Sequence, residues 1–528
     1  MPMMRFPQYR KARGGVELFE GTILEHAHRV GVEIPSDCGG LGKCGRCVVR
    51  IERGAECLDA PTELERDRRL AAGERLACQA RVVRPVADMT VFVREPGTYS
   101  ILTDTVETDD VPLEPFVRRD GRHVVHASGQ ELGRYEGELY GLALDVGTTT
   151  LAMQVVDLED ARVIATAART NPQVSYGNDV ISRIGHTMQH PDGLRALQWA
   201  VVEAVNEELE RLEREHGELG KHIFDAVVVG NSTMRSLFFG QEVSSLGVIP
   251  FEPVDVNAVE VSAGSLRLRV NPRARVYGGA LIGGHAGADA LADVVACRLH
   301  EADGISMLID IGTNGEVVVG NKDRMMSASC AAGGAYEGAT VTCGTGAVEG
   351  AISNVWISDD HVTYETIGGK PPVGVCGSGL IDLLAELLRC GRMSRKAKIG
   401  ERFRLTDGIY ITQQDVYELI TAKAGLRLDQ DLLMRYYGVE LDQIHKIFLA
   451  GGFGNFINPE NAVAIGLLPP APEKVVRVGN GALAGAREML VNRAVRRDSE
   501  EIARAIQHTK PNEREPDFAY LVAEKMYF

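Results

Sequence analysis

Apolar and polar positions along the 528-residue chain change period several times, and two stretches 165 residues apart change it in the same way. In the first, GLALDVGTTT from Gly141, the apolar run Leu142, Ala143, Leu144 ends at Asp145. A glycine and three threonines follow, and then a second apolar run through Met153, Val155 and Val156. That pattern predicts strand, tight turn, strand. In the second, MLIDIGTNGEVVV from Met307, Asp310, Gly312, Thr313 and Gly315 repeat Asp145, Gly147, Thr148 and Thr150. Each copy then passes through a polar break, DLEDAR or NKDR, into a third strand-like run. A helical period fills 191–217, LRALQWAVVEAVNEELERLERE within it, and places Trp199 and the neighbouring valines in the core. FDAVVVGNSTMRSLFFG predicts a buried strand, a Gly-Asn-Ser-Thr turn and a helix start. Its counterpart is HKIFLAGGFGNFINPENAVAIGLLP, with a strand at 446–450 followed by Gly451 and Gly452.

A chain of this length exceeds what one core holds, so two to four domains are expected. Hydrophobic content of 45% and charged content of 25% are ordinary for a water-soluble protein. A net charge of -16 argues against nucleic acid and anionic membrane as partners. No apolar run reaches membrane-spanning length and the first residues lack a signal-peptide core, so a cytoplasmic location is expected. Periodicity fades after Arg94 in a stretch rich in acidic residues, Pro and Gly. This suggests a linker over 96–138, with at most short strands, between a domain at 1–95 and a larger one at 139–528.

The repeated turns carry the first candidate chemistry. Gly147 lets the turn close and a ligand approach the backbone, while the hydroxyls of Thr148, Thr149 and Thr150 and the turn amides offer donors to phosphate oxygens. Asp145 and Asp310 are the carboxylates expected to hold Mg²⁺ through water and orient the water for hydrolysis. Two such units face to face would clamp a nucleotide's phosphates. Gly451 and Gly452 remove side chains where a flat base and ribose could lie, and Gly377, Ser378 and Gly379 open a helix whose N-terminus favours an anion.

The second chemistry lies in SDCGGLGKCGRC and RLACQARV. Cys38, Cys44 and Cys47 are spaced CX5CX2C, and Cys78 follows 30 residues beyond the third. Glycine-rich wrapping and a distant fourth cysteine suit a [2Fe–2S] cluster; zinc is the other reading, but structural zinc favours two CXXC pairs and only one is present. Cys57, in an exposed-looking RGAECLDAP, is expected to be incidental, and His26 and His28 to be surface or packing residues.

Residues 1–95 resemble the [2Fe–2S] ferredoxin domain, which implies a β-grasp fold with a first hairpin near Gly14 and Gly15, a helix in TILEHAHRVGV and a strand in CVVRIERG. The plant-type pattern has four residues between its first two cysteines, and here there are five. The larger domain resembles the actin, sugar kinase and Hsp70 ATPase superfamily (ASKHA, RNase H-like). The resemblance makes Asp145 to Thr150 the first phosphate motif, Asp310 to Glu316 with Asn314 the second, and Ala450 to Gly454 with Phe453 the adenosine motif. It implies two α/β lobes, each with a five-stranded mixed sheet, and ATP between them.

Together the two domains, with NPQVSYGNDVISRI, AAGGAYEGA and CGSGLIDLLAELL, resemble the reductive activators of corrinoid proteins. The activity this implies is ATP-dependent transfer of an electron from the cluster to Co(II), restoring the Co(I) that methyl transfer requires. The implied partners are a corrinoid protein of a methyltransferase system and an upstream donor, a reduced flavoprotein or ferredoxin, with a homodimer left open. SASCAAGGAYEGA becomes the candidate corrinoid-facing segment, with Ser327 and Ser329 as candidate oxygen ligands to cobalt. A redox-gated small-molecule kinase and an ATP-dependent redox-sensing binding protein are the competing readings.

Overall fold

The structure is a computed structural model that describes residues 2–9, 15–93 and 111–528, except 33, 35, 37–39, 43, 44, 46, 69, 71, 332, 339, 359, 360 and 453. Cys38, Cys44 and Phe453 therefore lie outside the described residues. Backbone contacts divide the chain into two compact units, Met1–Thr98 with Gly334–Ile420, and Tyr99–Gly333 with Thr421–Phe528.

In the first unit, a five-stranded sheet runs in the order Val16–Glu17, Met3–Arg5, Met89–Val93, Val48–Arg53, Glu74–Leu76. The first hairpin is antiparallel, and Met3–Arg5 pairs in parallel with Met89–Val93. Alternation in MTVFV sends Met89, Val91 and Val93 inward, where they meet Ile23, Leu24 and Ala27 of the helix Ile23–Arg29. Thr22 starts that helix with a capping box, its hydroxyl accepting from Glu25 N at 3.1 Å while Glu25 accepts from Thr22 N at 2.6 Å. One helix laid across a mixed sheet is the β-grasp arrangement. His26 is a packing residue, stacked on Phe19 with centroids 3.8 Å apart. Cys57 is not exposed: Gly54, at φ 83°, turns the chain back, and the thiol is fully buried 3.4 Å from Ala87 O.

The rest of this unit holds the three strands Ala351–Ser358, His361–Thr366 and Gly374–Val375, the helix Gly377–Arg389 and the hairpin Arg402–Thr406 with Ile409–Thr412.

The second unit contains the duplication. Tyr140–Val146 pairs antiparallel with Thr150–Asp157, which pairs antiparallel with Val163–Thr170. On its other side Tyr140–Val146 runs parallel to Ile223–Val229, and that strand runs parallel to Arg275–Gly278. The second sheet repeats this with Ser306–Ile311, Asn314–Asn321, Arg324–Ala331, Ile447–Ala450 and Val475–Gly479. Each sheet has six strands rather than the expected five, because each gains an edge strand: Val259–Ser262 on the first and Ile506–His508 on the second. The helices that follow the fifth strands, Ala288–Ala296 and Gly481–Val491, pack on each other between the sheets. A Cβ on Gly485 would fall 2.1 Å from Ala292 O, so only glycine permits this approach.

Trp199 is not core. It is 47% exposed on helix Gly193–His216, whose buried face carries Leu197, Val201, Val205, Leu209 and Leu212. It lies two residues, about 200°, around the helix from Leu197. Within the segment expected to be a linker, Val117–Asp120, His123–His126 and Glu131–Arg134 form an antiparallel sheet, and Val117, Val124 and Leu132 are buried in the core of the second unit. Among the described residues no helix is long and apolar enough to cross a membrane.

Candidate functional site

Both phosphate turns emerge from strands buried along almost their whole length, so the backbone that carries Asp145 and Asp310 is fixed before any ligand arrives. Register places the two aspartates equivalently: Asp145 lies beside Val229 of the parallel neighbour and Asp310 beside Ala450. The turns differ by one residue. Val146 pairs with Leu151 in the first copy, whereas Ile311 pairs with Gly315 in the second, so the second turn closes one residue sooner and Gly315 occupies the place of Leu151 rather than Thr150. Across the gap Thr149 Oγ1 and Thr313 Oγ1 lie 3.2 Å apart, bringing the turns of the two lobes together.

The first turn is held from behind. Gly147 O accepts from Asn171 Nδ2 at 2.8 Å, Thr148 O from Arg183 Nη2 at 2.5 Å, and Thr149 O from Asn171 N at 2.8 Å. Three successive carbonyls are thus engaged away from the gap, leaving amides and hydroxyls as the groups the turn can offer to an anion. Arg183 is fully buried and also donates to Gly177 O at 2.9 Å and Gln173 Oε1 at 3.1 Å. Thr148 Oγ1 accepts from Asn231 Nδ2 at 3.0 Å. In the second turn Thr313 O accepts from Gly333 N at 3.0 Å; Asn314 and Glu316 are buried, and among the described residues no partner reaches Asn314 Nδ2.

Four carboxylates gather at the base of the gap. Asp145 Oδ2 accepts from Asn480 Nδ2 at 3.1 Å, joining the first sheet to the residue that caps helix Gly481–Val491. Burial pushes the Asp145 carboxyl up to about 7, opposed by Asn480 and reinforced by the charge of Asp310. Burial, with Asp310 as the next cause, also raises Asp289 and Asp293 well above the usual carboxylate range. Asp293 is fully buried beside Asp310, and among the described residues no hydrogen-bond donor reaches either of its carboxylate oxygens. Such a cluster is short of positive charge. Among the described residues no three acidic, His or Cys side chains converge closely enough to ligate a metal alone.

Gly451, at φ 109°, follows strand Ile447–Ala450, and a Cβ there would lie 2.5 Å from Ile311 O and 2.8 Å from Asp310 Oδ1. The glycine therefore admits the second phosphate strand itself. In the first unit, Gly377, Ser378 and Gly379 open helix Gly377–Arg389 as expected, but all three are buried and Ser378 Oγ donates to Ser353 O at 2.9 Å. Ser327 is 1% exposed, with its hydroxyl 3.0 Å from His508 Nδ1, whereas Ser329, paired across the ladder with Glu316, keeps partial exposure.

Of the four cluster cysteines, Cys47 and Cys78 are described. Both are buried, and their sulfurs stand 3.3 Å apart. A disulfide needs about 2.05 Å, whereas two thiolates on one tetrahedral metal, at metal–sulfur bonds near 2.3 Å, lie roughly 3.7 Å apart. Gly40, Gly42 and Gly45 have φ of 89°, 73° and 69°, a region open to glycine, and a Cβ on Gly40 would lie 3.8 Å from Cys78 Cβ. The thiols that are described fit a cluster.

Comparison with known proteins agrees with both halves. Residues 15–83 match the 2Fe-2S iron-sulfur cluster binding domain, residues 140–302 the RACo middle region, and residues 304–528 the C-terminal domain of RACo, the ASKHA domain. A solved structure described as a reductive activator for corrinoid,iron-sulfur protein is 30% identical, with a TM-score of 0.76 over 100% of this chain and 98% of that one. The chain belongs to the family of reductive activators of corrinoid proteins. Relatives in this family include the corrinoid activation enzyme RamQ of Eubacterium limosum, 29% identical over 90% of this chain and 91% of that protein. The [Co(II) methylated amine-specific corrinoid protein] reductase of Methanosarcina barkeri is 27% identical over 70% and 73%. Membership in the activator family brings with it the ferredoxin and ASKHA domains that the sheets display.

Sequence reasoning missed the supports. Asn171 and Arg183 lie in NPQVSYGNDVISRI, which bore on family resemblance but not on the turn it braces. Asn480 in VGNGALAG had a signal, since Gly-Asn before a helix also occurs at Gly230–Asn231. Asp289 and Asp293, spaced four apart on one helical face, had a weaker one.

Proposed function

We propose that this protein reactivates a corrinoid protein by one-electron reduction of its Co(II) to Co(I), driven by ATP. Cys38, Cys44, Cys47 and Cys78 hold a [2Fe–2S] cluster, which supplies a single low-potential electron when bound. The turns at Gly147 to Thr150 and Gly312 to Glu316 receive the nucleotide's phosphates. Asp145 and Asp310 hold Mg²⁺ with water, Gly451 lets the second phosphate strand approach, and Gly452 keeps the adenosine end open. Ser329, the more accessible of the two serines, is the candidate contact to the corrinoid. The upstream donor is a reduced flavoprotein or ferredoxin.

The observation that carries this reading is the coexistence, in one chain of the activator family, of converging buried thiols and two register-matched acidic phosphate turns. The test mixes cluster-loaded protein, Ti(III) citrate and a Co(II) corrinoid protein, and follows Co(I) absorbance with and without MgATP. Reduction that requires MgATP and is lost in Cys78→Ser is expected. Reduction at equal rates without nucleotide, or in the variant, would refute the assignment.

A further inference from the structure

Helix Glu63–Asp67 of the ferredoxin domain ends beside the cysteine loop, and its last residue and the next one both reach outside that domain. A Cβ on Gly45, between Cys44 and Cys47, would fall 2.2 Å from Arg68 Nη1 and 2.7 Å from its Cζ, so the guanidinium lies against the loop backbone. The same guanidinium faces the Cys343 thiol, where its charge opposes the upward push of burial. Cys343 is 1% exposed, with Sγ 3.4 Å from Gly408 O. The neighbouring Asp67 accepts a hydrogen bond from Tyr410 Oη at 3.3 Å. The Arg402 guanidinium stands 5.1 Å over the Tyr410 ring.

The receiving surface is itself fixed. Cys343 adopts φ 58°, a left-handed conformation unfavourable for a side-chain-bearing residue, so its surroundings must hold it there. They do so through Cys343 O, which accepts from Val375 N at 2.8 Å, and through Thr342 N, which donates to Asp415 Oδ1 at 2.6 Å. Val375 stands two residues before Gly377, where the glycine-opened helix begins.

We propose that Cys343, Gly408 and Tyr410 form a seat on which the iron–sulfur domain of the same chain docks, keyed by Asp67 and Arg68. The seat holds the Gly45 backbone one guanidinium away from Cys343, whose carbonyl accepts from the strand that leads into helix Gly377–Arg389. Nothing in the electron-transfer reading requires this contact, and its test does not involve a corrinoid.

The experiment measures alkylation of Cys343 by iodoacetamide, with peptide mapping, together with amide exchange over 342–345 and 402–412 in the full-length, cluster-loaded protein. Arg68→Glu should raise Cys343 labelling about tenfold or more, the scale expected for losing a charge-assisted contact, and speed exchange at both segments. Asp67→Ala and Tyr410→Phe leave the cover over Cys343 untouched, yet should raise its labelling in the same direction by less. They carry the test if Arg68→Glu loses its cluster absorbance. Wild-type labelling and exchange in Asp67→Ala and Tyr410→Phe would overturn the proposal, because a local uncovering by Arg68 alone would then explain any effect of that variant.

Discussion

Replacing Asp145 by asparagine should stabilise the nucleotide-free protein while abolishing its ATPase. The carboxyl moves from 3.8 to about 7 on folding, chiefly because burial disfavours its charge. A raised folded value means the native state binds more protons than the unfolded chain between pH 4 and 7. Stability therefore falls as pH rises through that window and levels off above it. Three pH units correspond to about 4 kcal/mol at 1.36 kcal/mol each. Asp145 keeps partial solvent contact and shares its environment with Asp310, so the usable figure is about half, roughly 2 kcal/mol. Asparagine has the same shape and can still accept from Asn480 Nδ2. Urea unfolding of wild type and Asp145→Asn at pH 5 and pH 8 isolates the effect, because other titrating groups largely cancel between the two proteins. The variant's gain should be about 1–2 kcal/mol larger at pH 8. ATP turnover should fall by about two orders of magnitude or more, as when one element of transition-state charge stabilisation is removed. A gain or loss equal at both pH values would mean that Asp145 is ionised and compensated in the native protein, and the reasoning would fail.

Arg183→Ala removes the donor behind the Thr148 carbonyl and takes one donor each from Gln173 Oε1 and Gly177 O. It should weaken binding of a fluorescent ATP analogue about tenfold or more, while nucleotide-independent reduction of the cluster by dithionite stays unchanged. Arg496→Met strands the fully buried Asp225, which now receives Arg496 Nη2 at 2.5 Å. Urea unfolding should show a loss of about 3–5 kcal/mol, with most of it recovered in Asp225→Asn/Arg496→Met.

The duplicated sheets were legible because their pattern is local: runs such as LALDV and MLIDI declare a buried strand and its end within a few residues. The sixth strand of each sheet was not. Val259–Ser262 and Ile506–His508 are four and three residues long, and they exist as strands only because a neighbouring edge offers them partners. Trp199 was misplaced for a related reason. A wide apolar stripe on a long helix contains more hydrophobic residues than its buried face can hold, and composition alone does not say which is left outside. Cys57 reads as exposed among Glu56, Asp59 and Arg53, yet one left-handed glycine turns it into the core. At the site, sequence marked the atoms that would meet phosphate, since they lie on the glycine-flanked turns. It was silent on Asn171, Arg183 and Asn480, whose roles depend on chain segments 24 to 335 residues distant.

These supports bear on how nucleotide energy could reach an electron. Taking a ferredoxin-type electron uphill by about 100–200 mV costs roughly 2–5 kcal/mol. The contacts that join the two lobes at the gap, Thr149 with Thr313 and Asn480 with Asp145, are ordinary hydrogen bonds worth about 0.5–1.5 kcal/mol each. Set against them are Asp145, Asp289 and Asp293, whose ionisation is made costly first by burial and then by the neighbouring charge of Asp310. On the proposed reading, a Mg²⁺ ion entering this gap would relieve a cost already present rather than add a new attraction, and that relief would draw on carboxylates from both lobes. A ligand acts on an equilibrium only through its differential affinity for the two states, and on the proposed reading that differential would reside in the juxtaposition of aspartates from two copies of one motif. Removing either copy's aspartate should therefore uncouple nucleotide from reduction more completely than weakening any single phosphate contact.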